Sequence, residues 1–272
     1  MPFEDDTQRD VIRLLQITDT HLFADSNADL LSVPTAQSFS AVVEAIEAKG
    51  EHFDYILATG DISQDHSEAS YRRFLDGIKP FQTPCFWLPG NHDDQPVMKA
   101  LTPSDPVLKH SQLLLGDNWQ IVLLDSQVVG VPYGQLSQGQ LDYLQQCLSE
   151  HPQRHALVVL HHHPLHVGSE WLDEHALKYS EQFWQVIEQH GQVCAVLTGH
   201  VHQESQLVYQ DVQVMTSPST CVQFKPNSKD FALDNRSPGW RTLSLHADGL
   251  VTSEVHRLSD GLFLPDFSSG GY

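Results

Sequence analysis

The chain has 272 residues, with 35 acidic against 15 basic side chains, so its formal net charge is −20 at pH 7. This acidic excess argues against binding to the phosphate backbone of a nucleic acid, because proteins that do so normally carry a basic face. Hydrophobic residues make up 40% of the sequence, which excludes wholesale disorder and collagen-like chains. The 17 histidines are an unusual number, and because imidazole is the commonest metal ligand in proteins, they direct attention to metal sites.

The sequence offers no signal for export or membrane insertion. No apolar run approaches the ~18 residues that a membrane span needs. The first six residues (MPFEDD) are acidic, whereas a secretory signal starts with basic residues followed by an apolar run. The cysteines form no Cys-x-x-Cys pair, which argues against a thiolate zinc site or a redox motif. They are Cys85, Cys147, Cys194 and Cys221. We expect a reduced, cytoplasmic protein.

Apolar runs alternate with amphipathic stretches in the first third of the chain, which is typical of an α/β fold. Strands are predicted over 11–18, 55–59 and 85–88, and helices over 36–49 and 67–78. The first of these helices ends at Gly50, because glycine tolerates the left-handed conformation that terminates helices. Crossovers of this β-α-β-α-β kind predict parallel strands.

The alternation continues through the middle of the chain and then changes. Strands are predicted over 120–125, 156–160 and 193–198, and helices over 137–148, with Ser137 as N-cap, and 180–189. Beyond Gly199, strands over 207–216, 240–246 and 251–258 predict antiparallel hairpins. Residues 223–239 are expected to form a covering loop, and 268–272 a flexible tail. We find no repeat and no linker, so the prediction is a single domain over 1–272.

Side chains suited to metal binding follow five of the predicted strands. The candidates are Asp19 and His21, Asp61, Asn91 and His92, His161, and His200 and His202. Ligands of open α/β sheets bind at the carboxyl ends of the strands, so a shared sheet edge would bring these segments together. Each motif alone has an ordinary explanation as a turn, a helix cap or a solvated loop. Five coincidences at five strand ends make that explanation improbable for the whole set.

The spacing within the segments suggests how the side chains are used. Residues two apart in an extended chain point the same way, so Asp19 and His21 can grip one ion, as can the pair His200 and His202. Adjacent residues point apart, so Asn91 would offer its carbonyl oxygen to a metal while His92 faces the substrate. A glycine precedes Asp61, Asn91 and His200, where it allows close backbone approach.

These segments, taken in order, resemble the five motif blocks of the calcineurin-like metallophosphoesterase superfamily. The blocks are Asp19-x-His21, Gly60-Asp61, Gly90-Asn91-His92-Asp93, His161 and Gly199-His200-x-His202. The longer strings LQITDTHLFA, WLPGNHD, VLHHHPL, STCVQFKPNS and SPGWRTLSLHADG are similar to the bacterial class III cyclic-AMP phosphodiesterases, and this resemblance covers nearly the whole chain. It implies a four-layer α-β-β-α sandwich of two mixed sheets.

The resemblance also implies a dinuclear metal site. Asp19, His21 and His202 would hold the first ion. Asn91, His161 and His200 would hold the second, and Asp61 would bridge the two. Within the run His161-His-His163, the first histidine leaves the strand where the family has its ligand, and His162 is the alternative. Because the ligands are all nitrogen and oxygen, iron, manganese, zinc and cobalt all fit, and the resemblance favours iron or manganese.

The expected reaction is hydrolysis of 3′,5′-cyclic AMP to 5′-AMP by a metal-bridging hydroxide, with His92 as the general acid. The phosphate would lie over both ions, near His21, Asp61, Asn91, His92 and His202. Three alternatives remain: a broader metallophosphoesterase acting on phosphomonoesters or glycerophosphodiesters, a non-catalytic metal-binding scaffold, and a histidine-rich metal store. The expected partner is a small cyclic nucleotide rather than nucleic acid or membrane. The oligomeric state, a dimer included, is left open.

Overall fold

The computed structural model describes residues 1–101 and 111–271. One main sheet has seven strands in the spatial order β1 (Phe3–Asp5), β7 (Gln112–Leu115), β8 (Trp119–Leu123), β10 (His155–Val159), β12 (Val193–Thr198), β14 (Val212–Thr216) and β13 (Ser205–Tyr209). The other has five, in the order β16 (Val251–Arg257), β15 (Gly239–His246), β2 (Val11–Ile17), β5 (Tyr55–Ala58) and β6 (Cys85–Trp87). Two small two-stranded sheets pair β3 (Asp29–Leu30) with β4 (Val33–Pro34), and β9 (Gly134–Gln135) with β11 (Leu177–Lys178).

Both main sheets are mixed. In the five-stranded sheet β2, β5 and β6 run parallel, while β15 and β16 are antiparallel additions from the carboxyl-terminal part of the chain. In the seven-stranded sheet β8, β10, β12 and β14 run parallel, and the pairs β7–β8 and β13–β14 are antiparallel. The predicted parallel arrangement of the first three strands is confirmed.

The described residues form six α-helices, most of which cover the outer faces of the sheets. They are α1 (Thr35–Lys49), α2 (Glu68–Ile78), α3 (Gln95–Leu101), α4 (Gln138–Glu150), α5 (Glu170–Asp173) and α6 (Ser180–Ile187), with a 3₁₀ turn at Lys79–Phe81. Apolar side chains of α1 and α2 pack on the five-stranded sheet, and those of α4 and α6 pack on the seven-stranded sheet. A third core lies between the sheets, where residues such as Leu57 and Leu157 are fully buried. This is the expected four-layer α-β-β-α sandwich.

The predicted helix ends are confirmed where the sequence carries a clear signal. Gly50 follows α1 with φ of 64°, a left-handed conformation that costs glycine little. The Ser137 hydroxyl accepts a hydrogen bond from the Gln140 N–H at the start of α4. Ser67 caps α2 in the same way, accepting from the Ser70 N–H.

The prediction of one strand over 207–216 is wrong. Residues Ser205–Tyr209 and Val212–Thr216 form two antiparallel strands joined at Gln210, whose φ of 52° permits the reversal. The short strands β1, β3, β4, β7, β9 and β11 and the helices α3 and α5 were not predicted. Most of these segments have too few residues to display a hydrophobic period.

Two further observations concern the chain as a whole. Strand β15 pairs with β2 along six residues, so the last third of the chain completes the sheet that the first third begins. Among the described residues, helices reach neither the length nor the apolar character required to cross a membrane.

Candidate dinuclear metal site

The candidate ligands lie on five loops, each at the carboxyl end of a strand. Three loops follow β2, β5 and β6 of the five-stranded sheet, and two follow β10 and β12 of the seven-stranded sheet. The expectation of one shared sheet edge is therefore wrong, because the site is formed where the same ends of two stacked sheets meet. Backbone hydrogen bonds join neighbouring loops within each sheet, from the Asp19 N–H to the Gly60 carbonyl and from the Gly199 N–H to the His161 carbonyl. Across the gap, the His200 N–H donates to the Asp19 carboxylate at 3.1 Å.

Five of the candidate ligands have left-handed backbone conformations, which non-glycine residues rarely adopt. They are Asp19 (φ 54°), His21 (44°), Asp61 (50°), His200 (70°) and His202 (48°). The chain is therefore not extended at these positions as predicted, and His200 and His202, which were expected to grip one ion, have side chains in different clusters. Such strained backbone is held in place by surrounding packing and is concentrated at functional sites.

The first cluster consists of Asp19, His21 and His202, whose ligand atoms all lie within 4.8 Å of one another. The Nδ1 atoms of the two histidines face acceptors, Gln64 Oε1 at 2.6 Å and the Val222 carbonyl at 2.9 Å. Each Nδ1 therefore carries the proton, and both Nε2 lone pairs point at each other across 3.2 Å. A cation between them resolves this conflict, so the donor set fits a metal ion.

The second cluster is built around His161. Its Nδ1 donates to the Thr59 carbonyl at 2.7 Å, so Nε2 is an acceptor in the neutral ring and carries a proton only in the charged ring. That nitrogen lies 3.3 Å from Asn91 Oδ1 and 3.2 Å from Asp61 Oδ2, both also acceptors. His200 joins this cluster, and its buried Nε2 has no hydrogen-bond partner among the described residues. The arrangement again suits a cation.

The three consecutive histidines have different surroundings. His162 also lies in the second cluster, but its Nδ1 is hydrogen-bonded to the Ser126 hydroxyl at 2.8 Å, and among the described residues its side chain makes no hydrogen bond to Asn91 or Asp61. His163 faces the Asp173 carboxylate, with 3.4 Å between Nε2 and Oδ1. Of the three, His161 has the contacts that a ligand shared with Asn91 and Asp61 requires.

The Asp61 carboxylate lies between the two clusters. Its Oδ1 accepts the His92 N–H at 2.8 Å, and its Oδ2 is 3.2 Å from His161 Nε2 and 3.9 Å from His21 Nε2. Burial raises the pKa of this carboxyl, but the charges of His161 and His92 outweigh burial and hold the pKa well below its usual range. Asp61 is therefore a carboxylate at neutral pH, in contact with both clusters.

Burial and neighbouring charges shift the pKa values of His21 and His161 in opposite directions. Burial lowers the pKa of His21 to about 3, so this imidazole is neutral and free to act as a ligand. Burial also disfavours the charged form of His161, but Asp61 and Asp19 raise its pKa to about 9. A site that raises the pKa of a buried imidazole in this way attracts cations.

His92 has a different position from the buried ligands. It is half-buried, and its ring lies 5.0 Å from that of His21 in an edge-to-face arrangement. It lines a cavity of about 230 Å³ that His200 and Asn91 also line. Its side chain therefore reaches both the clusters and the space beside them.

Asp93 belongs to the Gly-Asn-His-Asp motif, but no role was predicted for it. Its buried carboxylate accepts the backbone N–H groups of Ile62 and Ser63 on one loop and of Gly90 on another. Burial, reinforced by the charge of Asp61, raises its pKa to about 7. Asp93 thus ties the Asp61 loop to the Asn91 loop, a role that the residue type alone does not reveal.

Comparisons with known proteins agree with this geometry. Residues 12–204 match the calcineurin-like phosphoesterase family. The chain is 58% identical to the 3′,5′-cyclic adenosine monophosphate phosphodiesterase CpdA of Vibrio vulnificus, over 96% of this chain and 95% of that protein. It is 50% identical to the protein of the same name from Escherichia coli, with the same coverage. A dimetal phosphatase from Danio rerio has a similar fold, with a TM-score of 0.64 at 13% identity, covering 91% of this chain and 99% of that one. The chain belongs to the calcineurin-like phosphoesterase family.

Proposed function

We propose that this chain is a metal-dependent phosphodiesterase that hydrolyses 3′,5′-cyclic AMP to 5′-AMP. The observation that carries the proposal is the Asp61 carboxylate in contact with two ligand clusters, in a chain 58% identical to a relative named for this reaction. A metal store is disfavoured because stores carry their ligands in dense tracts. Here the candidate ligands come from five separate loops.

In this proposal Asp19, His21 and His202 hold one divalent ion and Asn91, His161 and His200 hold the other, with Asp61 shared. His161 is preferred to His162 because its Nε2 lies against both Asn91 and Asp61. Thr59, Gln64 and Val222 orient the imidazoles through their Nδ1 atoms.

Ions held there would supply Lewis-acid stabilisation of the phosphate and would lower the pKa of a water molecule so that it could act as the nucleophile. Two divalent ions bring four positive charges against the carboxylates of Asp19 and Asp61, which explains how an acidic protein accepts an anionic substrate.

Five residues surround the position proposed for the phosphate. They are His21, Asp61, Asn91, His92 and His202. The bond between phosphorus and O3′ breaks as water adds to phosphorus and releases a proton to solvent, and His92 delivers a proton to O3′. The products are a 5′-phosphate and a free 3′-hydroxyl. His92 suits this role because it is the half-buried histidine beside the buried ligands.

We also propose iron or manganese as the metal, a cytoplasmic location and a single domain. The nitrogen and oxygen donor set fits both metals. All four cysteines are free, which is consistent with a reducing compartment. The pairing of β15 with β2 supports one domain.

The test is turnover by the purified chain loaded with Mn²⁺ or Fe²⁺. Cyclic AMP, cyclic GMP, bis-p-nitrophenyl phosphate, a glycerophosphodiester and a phosphomonoester are compared under the same conditions, together with metal analysis. We expect two metal ions per chain, the highest kcat/KM on cyclic AMP, and 5′-AMP as the product. Negligible hydrolysis of cyclic AMP with both ions bound would refute the substrate assignment. Many more than two ions per chain would favour a metal store.

A further inference from the structure

A cavity of about 230 Å³ extends from the candidate metal site to a group of aromatic side chains. At one end it is lined by Asn91, His92 and His200. At the other end it is lined by Trp171, His175, Phe224 and Phe231. The polar end contains residues proposed to handle the phosphate, so a group esterified to that phosphate can extend toward the aromatic end.

The aromatic end is connected to the ligands by direct ring contacts. Phe224 stacks on the ligand candidate His202, with 4.3 Å between centroids and 14° between planes. Trp171 packs edge-to-face on Phe224 at 5.0 Å and on Phe231 at 5.1 Å. Because Phe224 is fully buried while Trp171 and Phe231 are partly exposed, the latter two rings are the ones with surface available to a ligand.

The residues that line the cavity do not favour binding of a second anionic group at its aromatic end. None of the described residues that line the cavity is Lys, Arg, Asp or Glu. A pyrophosphate or a second phosphate therefore finds no cation there, and an ammonium group finds no carboxylate. The indole Nε1 of Trp171 is buried and has no hydrogen-bond partner among the described residues.

A flat, uncharged ring that stacks on an aromatic face matches these properties. We propose that Trp171 and Phe231 form the base subsite of this enzyme and that the adenine of cyclic AMP stacks there. This deepens the proposed function and rests on it for the identity of the nucleotide. Base–aromatic stacking tolerates several bases, so the subsite accounts for selecting a nucleoside over other alcohols more than for distinguishing adenine from guanine.

The test measures binding rather than turnover, so that it stands apart from the proposed reaction. Three phosphomonoesters are titrated into the Mn²⁺-loaded protein: 5′-AMP, ribose 5-phosphate, which lacks the base, and phosphocholine, which carries a quaternary ammonium that an aromatic group could also bind. We expect Trp171→Ala to weaken 5′-AMP binding about tenfold, the loss expected when a stacked base loses its aromatic partner. Ribose 5-phosphate binding should change less than about twofold.

Further variants guard against simple misfolding. Trp171→Phe keeps an aromatic face and should recover most of the affinity for 5′-AMP, and Phe231→Ala should reproduce the Trp171→Ala pattern. Tyr209→Ala is the matched control. It removes a partly buried aromatic that stacks on Trp184 at 4.1 Å, away from the cavity, and should leave all three affinities unchanged.

Two results would overturn the subsite. One is equal affinity of the unmodified protein for 5′-AMP and ribose 5-phosphate. The other is a variant that weakens both equally, or that weakens phosphocholine more than 5′-AMP. If the subsite behaves as expected while cyclic AMP is not hydrolysed, the proposed reaction fails and the base subsite stands.

Discussion

His92 and Asp61 are adjacent in the site but have different proposed roles. The Asp61 carboxylate accepts the His92 N–H, so the two loops are joined through the backbone while the His92 imidazole is left to other contacts. Asp61 is buried between both clusters, and His92 is half-buried beside them. Removing each side chain should therefore affect metal binding and turnover differently.

We predict that His92→Ala lowers kcat for cyclic AMP by about 10²–10⁴-fold, the usual contribution of a general acid, while both metal ions stay bound. Asp61→Ala should lose metal as well as activity, because its carboxylate contacts both clusters. Metal analysis of the dialysed variants alongside steady-state kinetics separates the two effects. Parent-like turnover by His92→Ala would show that another group protonates the leaving oxygen.

The pKa of His161 predicts how metal binding depends on pH. Asp61 holds this pKa at about 9 against the effect of burial, so below pH 9 the Nε2 carries a proton that a metal ion must displace. The apparent affinity for Mn²⁺ should therefore rise about tenfold per pH unit from pH 7 toward pH 9 and then level off. Calorimetric titrations in buffers of different ionisation enthalpy measure the released proton. Affinity independent of pH over this range would contradict the assignment.

The loops after β5 and β6 each need a glycine, Gly60 and Gly90, because the two loops pack directly against each other. A side chain at Gly90 would collide with the Asp61 carboxylate and its backbone N–H, and one at Gly60 would lie 2.5 Å from His161 Nδ1. Gly60 also has φ of 97°, which disfavours any side chain. The two loops can place Asp61 and Asn91 together only because their backbones touch.

Gly90→Ala should displace the Asp61 carboxylate and weaken metal binding by at least tenfold, with a loss of stability of about 1–3 kcal/mol from overpacking. The matched control is Gly191→Ala, since a methyl group there meets no atom within 4 Å and the backbone has no positive φ. Metal titration and urea denaturation of both variants test this. Similar behaviour of the two variants would mean that the loops adjust without cost.

At the scale of the whole molecule, Asp5 links the two main sheets. It lies on β1 of the seven-stranded sheet, and its carboxylate accepts hydrogen bonds from the Tyr55 hydroxyl on β5 and from Arg9 at 3.0 Å. Burial raises the pKa of Asp5, but hydrogen bonds from Thr7, Tyr55 and Arg9 outweigh it and bring the pKa well below its usual range. A carboxyl whose pKa is lowered by folding stabilises the protein above its ordinary pKa of 3.8 and ceases to do so as the pH falls.

We predict that Asp5→Asn lowers the free energy of unfolding by about 1–3 kcal/mol at pH 7, the range for a hydrogen-bonded charged group. The difference from the unmodified protein should shrink below pH 4, where the unfolded carboxyl is protonated. Asp6→Asn, which removes the same charge from the exposed neighbouring position, should have little effect. Urea denaturation across pH 3–7 makes the comparison, and a constant difference at every pH would contradict the linkage.

The sequence alone predicted the elements that display a clear period or cap. Helix α1 with its stop at Gly50, α4 with its cap at Ser137, and the strands ahead of the candidate ligands follow from local propensity and hydrophobic pattern. The five polar segments were recognisable because metal chemistry restricts the residue types that follow such strands. The four-layer arrangement came from the family resemblance and not from periodicity.

Tertiary structure decided what depends on contacts between distant segments. The residue spacing did not predict the separation of His200 from His202, which only the family resemblance implied. This separation follows from left-handed backbone that neighbouring loops stabilise. The tie made by Asp93 and the aromatic wall at Trp171 and Phe231 likewise join residues far apart in the chain. Sequence patterns report which residues are near each other along the chain, whereas a site between two sheets is defined by distances that exist only once the sheets have packed.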